Sequence, residues 1–293
     1  VDALVTGPPS VVGLHRTQAA ASVRGLARRG PCSPASLYPG RMPQRAPHPA
    51  LRGLVRAYDG YDESVPEGAV HHGIPSTTAT VILAFGEPLD VGWLATPRRS
   101  DTFWALASGL HDAPALVHAH GRLHGIQLAL SPAGVRRLLG LPMGGLGAFS
   151  LVEHGELPLG LRADDVERLA AAPTWAARFD ALDAALLSAL AQPGGHEPRP
   201  EVGRAWQLLR ASRGRLGVRE LAGRVGMSER HLGSCFRAEF GLSPKRVARL
   251  RRFEHADALR RRGIRLSDVA TEAGYADQSH LTRDWRALTG HPP

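Results

Sequence analysis

The apolar positions of this chain change their period along its length, and each change predicts an element. Short apolar runs broken by Gly, Pro and His, at Thr80 to Phe85, Val91 to Leu94, Ala115 to His118 and Gly125 to Leu130, read as strands. Ahead of them Leu51, Leu54, Val55 and Tyr58 stand at helical spacing. Helical spacing returns at Val135, Leu138 and Leu139, at Val166, Leu169 and Ala170, and along Trp175, Phe179, Leu182, Leu186 and Leu190. Thr174 suits the N-cap of that last helix, and Pro193, Gly194 and Gly195 its stop. Its apolar stripe fits a helix lying on its own domain's sheet better than a dimer seam, although either would account for it.

From Val202 onward the spacing is helical throughout, and one design occurs twice. Val202 to Leu209 predict a short helix anchored by Trp206 and Leu209, and LGVRELAGRVGMSERHLGSCFRAEF follows. A helix-turn-helix needs a small residue where its helices cross, a turn residue tolerant of positive φ, and an apolar anchor on the second helix. Ala222, Gly226 and Leu232 meet those demands in order. Leu221 and Val225 extend the inner face of the first helix, and Ser228 suits the second N-cap. Leu232, Cys235, Phe236 and Phe240 then run along one side of the second helix. Arg230, Gly233, Ser234 and Arg237 share the opposite side, the one a major groove would meet.

The second copy, IRLSDVATEAGYADQSHLTRDWRALTG, has Ala270 and Gly274 in the crossing and turn roles, Leu281, Trp285 and Leu288 as anchors, and a turn one residue longer. Its outward face offers Gln278, Ser279, His280, Thr282, Arg283 and Arg286, groups that bond base edges or phosphates. Between the copies, Ser243 and Pro244 open a helix that runs through Val247, Leu250, Phe253, Ala256 and Leu259 to Arg262 and Gly263, with seven arginines after Lys245. One rigid helix holding two recognition helices would present them to successive major-groove segments.

Charge strengthens that picture. Residues 201–293 hold 19 Arg or Lys against 10 Asp or Glu, a net of +9 that equals the formal charge of the whole chain. Residues 46–200 have 11 basic against 16 acidic groups, so only the carboxy-terminal region is built to approach a polyanion. Cys32 and Cys235 are too few and too far apart for a disulfide framework or a multi-thiolate zinc site, which fits a reducing cytoplasm. No apolar run approaches the roughly 20 residues of a membrane span.

On these motifs, residues 202–293 resemble the carboxy-terminal domain of AraC/XylS transcription regulators, the family signature matching from Ile264 through Gly274 and Tyr275 to Gly290. The resemblance implies sequence-specific binding of double-stranded promoter DNA. By position the DNA-contacting residues would be Arg230, His231, Gly233 and Ser234 in the first recognition helix, and Gln278, Ser279, His280, Thr282 and Arg283 in the second; Arg237 and Arg286 join them from the outward faces of the same helices. Gly233 and Ser234 are small where the family often has longer polar side chains, so the first helix would read mainly through Arg230 and Arg237 and the second would dominate. The family also continues a few residues past the position of Pro293.

Residues 42–192 resemble, less specifically, the amino-terminal regions of some actinobacterial AraC-type regulators, at SPAGVRRLLGLP after the strand-like GRLHGIQLAL. This implies a regulatory or sensor domain, in the wider family often cupin-like, and leaves open a small-molecule effector, a second copy of the chain and RNA polymerase as further partners. The expected fold is α+β, a mixed strand and helix domain over 42–192 followed by an all-α double helix-turn-helix domain over 201–293. PGGHEPRP, in residues 193–200, is the linker. Residues 1–41, rich in Arg, Ala, Ser, Pro and Gly, read as a disordered extension or as translation upstream of a natural start at Met42.

Rival chemistry is thin. His111, His118, His120 and His124 invite a metal reading, with His118 and His120 on one side of a strand, but no carboxylate at a characteristic spacing completes a set, and no metal or cofactor is expected. His71 and His72 look like loop residues. Gly144, Gly145 and Gly147 lack the Lys-Ser/Thr ending of a phosphate loop. No nucleophile elbow, metal-protease helix or Cys-His signature points to an enzyme. The alternatives to a regulator are an enzyme or an acidic-partner adaptor carrying an AraC-like module.

Overall fold

The computed structural model describes residues 43–94, 96–118, 120–147, 150–152, 159, 161, 163–192 and 197–293. The expectations for residues 1–41, for Met42 and for the Pro193 to Gly195 stop lie outside them. The described fold is α+β. The described residues form ten strands, nine of them ahead of the first α-helix: β1 Gln44–Arg45, β2 Val55–Ser64, β3 Val70–Gly73, β4 Ala79–Ala84, β5 Leu89–Trp93, β6 Thr96–Phe103, β7 Ala105–Ser108, β8 Ala115–His118, β9 Arg122–Leu130 and, after that helix, β10 Ser150–Val152. They pair antiparallel into a six-stranded sheet of order β1-β2-β9-β4-β7-β10 and a four-stranded sheet of order β3-β8-β5-β6.

The period of two divides the six-stranded sheet between two cores. Ile82, Ala84, Leu106 and Leu123 face the second sheet, where Leu89, Val91, Phe103 and Val117 meet them. Val81, Leu83, Ala105, Ile126 and Leu128 face the other way, toward the helices. There lie α1 Pro132–Leu139, capped by Ser131, then α2 Ala163–Ala171 and α3 Trp175–Leu190. The Thr174 hydroxyl caps α3 by accepting from the Ala177 amide at 3.2 Å. Phe179, Leu182 and Leu186 are buried, and Phe179 stacks on Tyr58 of β2 at 5.8 Å, so the α3 stripe packs on its own sheet.

Two expectations are corrected here. The helical spacing at Leu51, Leu54, Val55 and Tyr58 does not make a helix: Pro49–Leu51 is a single 3-10 turn and Val55 opens the ten-residue strand β2. The register shifts between Val55 and Tyr58, which lie opposite Leu130 and Leu128, so a β-bulge puts residues three apart on one face and imitates the helical period. His71 and His72 are strand residues of β3, not loop residues.

The remaining helices are α4 Pro200–Ala211, α5 Val218–Val225, α6 Glu229–Phe240, α7 Pro244–Arg261, α8 Leu266–Ala273 and α9 Gln278–Thr289. No described helix is long and apolar enough to cross a membrane. One continuous apolar cluster runs from the helix-side face of the six-stranded sheet through α1 and α3 into these helices. Polar contacts reinforce the junction. Arg136 of α1 pairs with Glu239 of α6, with Nε donating to Oε1 at 2.7 Å. Thr77 donates its amide and hydroxyl to Glu254 of α7 at 2.6 and 2.8 Å. His72 Nδ1 lies 2.9 Å from the Thr289 carbonyl oxygen at the end of α9.

Asp112, on the loop before β8, accepts from Arg246 of α7. Burial pushes the Asp112 carboxyl up, and the hydrogen bond and charge of Arg246, with Arg249 nearby, more than offset it, leaving the group below its ordinary value. A folded value below the unfolded one means that this contact's stability is present above about pH 4 and is lost as pH falls through the folded value. Denaturant titrations at descending pH should therefore show a shallower loss of stability below about pH 4 in Asp112→Asn than in the parent. Equal slopes would mean that the pair contributes nothing.

Candidate nucleic-acid interface

Each helix-turn-helix is built where the sequence places it. The α5 to α6 turn passes through Gly226 at φ 71° and the α8 to α9 turn through Gly274 at φ 81°, left-handed conformations that glycine adopts without steric cost. Ala222 and Ala270 are buried at the crossings, and Leu232, Phe236, Phe240, Leu281, Trp285 and Leu288 anchor the second helices. Ser228 accepts from the His231 amide at 3.3 Å to cap α6, and Asp277 from the His280 amide at 2.6 Å to cap α9. The second turn is one residue longer.

The expected contact residues divide by exposure. Arg230, His231, Ser234 and Arg237 on α6, and Gln278, Ser279, Arg283 and Arg286 on α9, are exposed. His280 and Thr282 are half-buried, and the His280 ring turns back to accept from the Ala276 amide at 3.4 Å and to meet the Tyr275 ring edge-on at 5.1 Å. The Arg237 guanidinium lies back over Gly233, 3.9 Å from where a Cβ would stand, an ordinary contact that leaves room for a side chain there. Cys235 sits at the border of the inner face and is only half-buried, its sulfur 3.8 Å from His231 Nε2.

The arginines sort into two populations. Those of the connecting helix are largely spent inside the molecule: Arg246 on Asp112, Arg249 on Asp284, Arg251 on Glu254, and Arg260 and Arg261 on Asp257. Arg230, Arg237, Arg283 and Arg286 have no carboxylate partner among the described residues. The basic helix is thus a strut, with five of the seven arginines that follow Lys245 paired to carboxylates. At 18 residues it is about 27 Å long. Asp284 also accepts from the Tyr275 hydroxyl at 3.0 Å, and burial together with that carboxylate pushes the Tyr275 phenol well up, so it stays neutral and holds the long turn.

The histidines expected to suggest a metal are dispersed. His111 is bonded to the Ala113 carbonyl, and His120, which lies beyond the end of β8, faces Asp90 at 3.4 Å. His124 meets Phe85 and Trp175 edge-on. No three ligating side chains converge among the described residues.

Residues 221–293, about a quarter of the chain, match the family model described as a helix-turn-helix domain. No curated protein matches. Among solved structures the chain is similar to ToxT from Vibrio cholerae O395, at 9% identity and a TM-score of 0.51 over 80% of this chain and 95% of that one. It is also similar to wild-type ToxT from strain SCE256 bound to an unsaturated fatty acid, at 9% identity and TM-score 0.51, covering 80% of this chain and 92% of that one. A third is ToxT O395 bound to (E)-4-(8-methylnaphthalen-1-yl)but-3-enoic acid, at 10% identity and TM-score 0.51, covering 80% and 96%. At such identities the likeness is one of fold, a sheet-rich half followed by paired helix-turn-helix units. Fold, site and family model together define a DNA-binding transcription regulator. Its DNA-binding domain is of the AraC/XylS type.

Proposed function

We propose that residues 201–293 bind a promoter operator through both recognition helices, and that residues 42–192, joined to them through the 193–200 linker, act as a sensor for a small-molecule effector in the cytoplasm. The observation that carries the DNA reading is the pair of recognition faces on one strut, whose four outward arginines meet no carboxylate among the described residues while the strut's own arginines are mostly paired. Free guanidiniums reach guanine edges and phosphates, and paired ones do not. Helix α9 dominates base readout through Gln278, Ser279 and Arg283, with Thr282 at the edge of the face. Arg286 and, on α6, Arg230, His231, Ser234 and Arg237 set register and add contacts. The acids bound in the ToxT structures support a small-molecule effector.

Selection from a random duplex library tests this, and the expected result is a recurrent motif, doubled with two-fold symmetry if two copies bind together. Arg283→Ala should weaken binding to that motif by about 1–3 kcal/mol while leaving random duplex nearly unchanged. Equal losses on both would reduce Arg283 to a phosphate contact. Failure to recover any motif would remove the reading.

A further inference from the structure

The geometry points to a binding site for a compact, multiply charged anion, a phosphorylated or polycarboxylate small molecule, in the cavity between the sheet-rich half and the strut helix α7. This rests on the regulator reading and assigns its effector a place and a chemical class. The cavity is about 400 Å³, within the range of small-ligand sites. Arg56 and Ser76 line it from the sheet side, and Arg213, Arg251, His255 and Arg261 from the helical side.

Its charge does not balance. Four guanidiniums face two carboxylates, Glu254 and Asp257, and both acids are already satisfied, Glu254 by Thr77 and Arg251 and Asp257 by Arg260 and Arg261. Arg56 and Arg213 meet no carboxylate among the described residues. Arg213 instead lies 3.0 Å from His255 Nε2. Burial and the Arg213 charge hold the His255 imidazole below its ordinary value, so it stays neutral and accepts. Arg56 and Arg213 are both exposed, so their charge is open to an anionic occupant as well as to water.

Both unmatched arginines are also held in unusual backbone. Arg56 lies inside the β2 bulge between Val55 and Tyr58, a distortion that re-aims side chains. Arg213 adopts φ 53°, a left-handed conformation that a side chain keeps only where its surroundings impose it. The apolar wall is short, limited to Ile74, Pro75 and Phe253, so a long aliphatic tail finds little to cover it. An anion here would be gripped from both halves beside the Thr77 to Glu254 contact, and would tighten the junction that positions the DNA-binding helices.

The test is calorimetric titration of the full chain with pyrophosphate, citrate and oleate at fixed salt, with duplex binding measured on the same samples without added anion. Pyrophosphate or citrate should bind one per chain and raise the melting temperature. Arg56→Ala combined with Arg213→Gly should weaken that binding at least tenfold, whereas Arg283→Ala should leave it unchanged. Glycine at 213 suits the left-handed backbone, so an unchanged melting temperature without ligand separates lost binding from lost folding. Binding that survives the Arg56/Arg213 pair, that disappears in Arg283→Ala, or that favours oleate would overturn the proposal, as would no binding of pyrophosphate or citrate. If duplex binding is intact and the anions fail, this site alone is wrong. If duplex binding fails, the regulator reading is wrong.

Discussion

Trp285→Ala should destabilise the carboxy-terminal helices by about 3–5 kcal/mol, the cost of emptying a large aromatic site in a packed core. The Trp285 side chain is 2% exposed, its ring meets Phe253 edge-on at 4.9 Å, and the Arg260 guanidinium lies 5.1 Å from its centroid. It therefore joins three things at once: the second recognition helix, the strut, and the Arg260 end of the Asp257 ion-pair cluster. The inner face of α9 is seated by Leu281, Trp285 and Leu288, with Thr289 buried at its end and Asp284 bonded to Arg249 and Tyr275. Losing the middle anchor should free the helix that carries Arg283, so motif-specific DNA binding should fall with stability. Trp285→Phe, which keeps a ring against Phe253, should retain most of both. Urea unfolding followed by circular dichroism reads the first effect and duplex titration the second. A loss under 1 kcal/mol would show that α9 is seated by something other than this core.

That helix was legible in the sequence because its information is local. Ala270, Gly274, Leu281 and Trp285 fall within sixteen residues, and their spacing alone dictates a crossing, a left-handed turn and an inner face. The same holds for Ala222, Gly226 and Leu232. The sheet was legible only in part. Strands β4, β5, β8 and β9 stand out as apolar runs, whereas β6, TPRRSDTF, is a polar edge strand and β7, ALAS, is only four residues long with Leu106 as its one large side chain. Strand β2 was masked by its bulge, which replaced the period of two with a spacing of three.

The junction between the halves was not legible at all. His72 and Thr289, Thr77 and Glu254, and Asp112 and Arg246 are separated by 134 to 217 positions, and neither partner of any pair lies in a local pattern that marks it. The arginine-rich strut illustrates the consequence. Its sequence reads as a basic helix, and only the three-dimensional position of Asp112, Glu254, Asp257 and Asp284 turns most of that charge inward. The strained Arg213 left one faint signal, an Arg-Gly pair after a helix end, which alone marks no more than a turn.

The pair that binds the first recognition helix to the sheet-rich half should be as sensitive as the Trp285 core, for a different reason. Arg136 and Glu239 have side-chain exposures of 13% and 9%, so removing either leaves a charge with little water to solvate it. Arg136→Met should cost about 3–5 kcal/mol, as expected for a buried ion pair stripped of one member. Replacing both with methionine should recover most of that loss, because two apolar side chains leave no unpaired charge and the desolvation cost of the pair disappears with it. Denaturant unfolding of the parent, both single variants and the double variant closes the cycle. Single losses below about 1 kcal/mol would mean that water screens the pair after all. The functional reading is separable from the stability. Beside this pair, Gly144 in the 3-10 turn Met143–Leu146 packs so closely on α6 that a Cβ would collide with the Ala238 carbonyl oxygen. The sheet-rich half thus holds the carboxy-terminal end of α6 by a charge and by a backbone contact. The double methionine variant keeps only the second, so it should fold yet bind with altered preference at the base pairs read by Arg230 and Arg237. The positions read by Arg283 should be unaffected, since α9 is seated elsewhere.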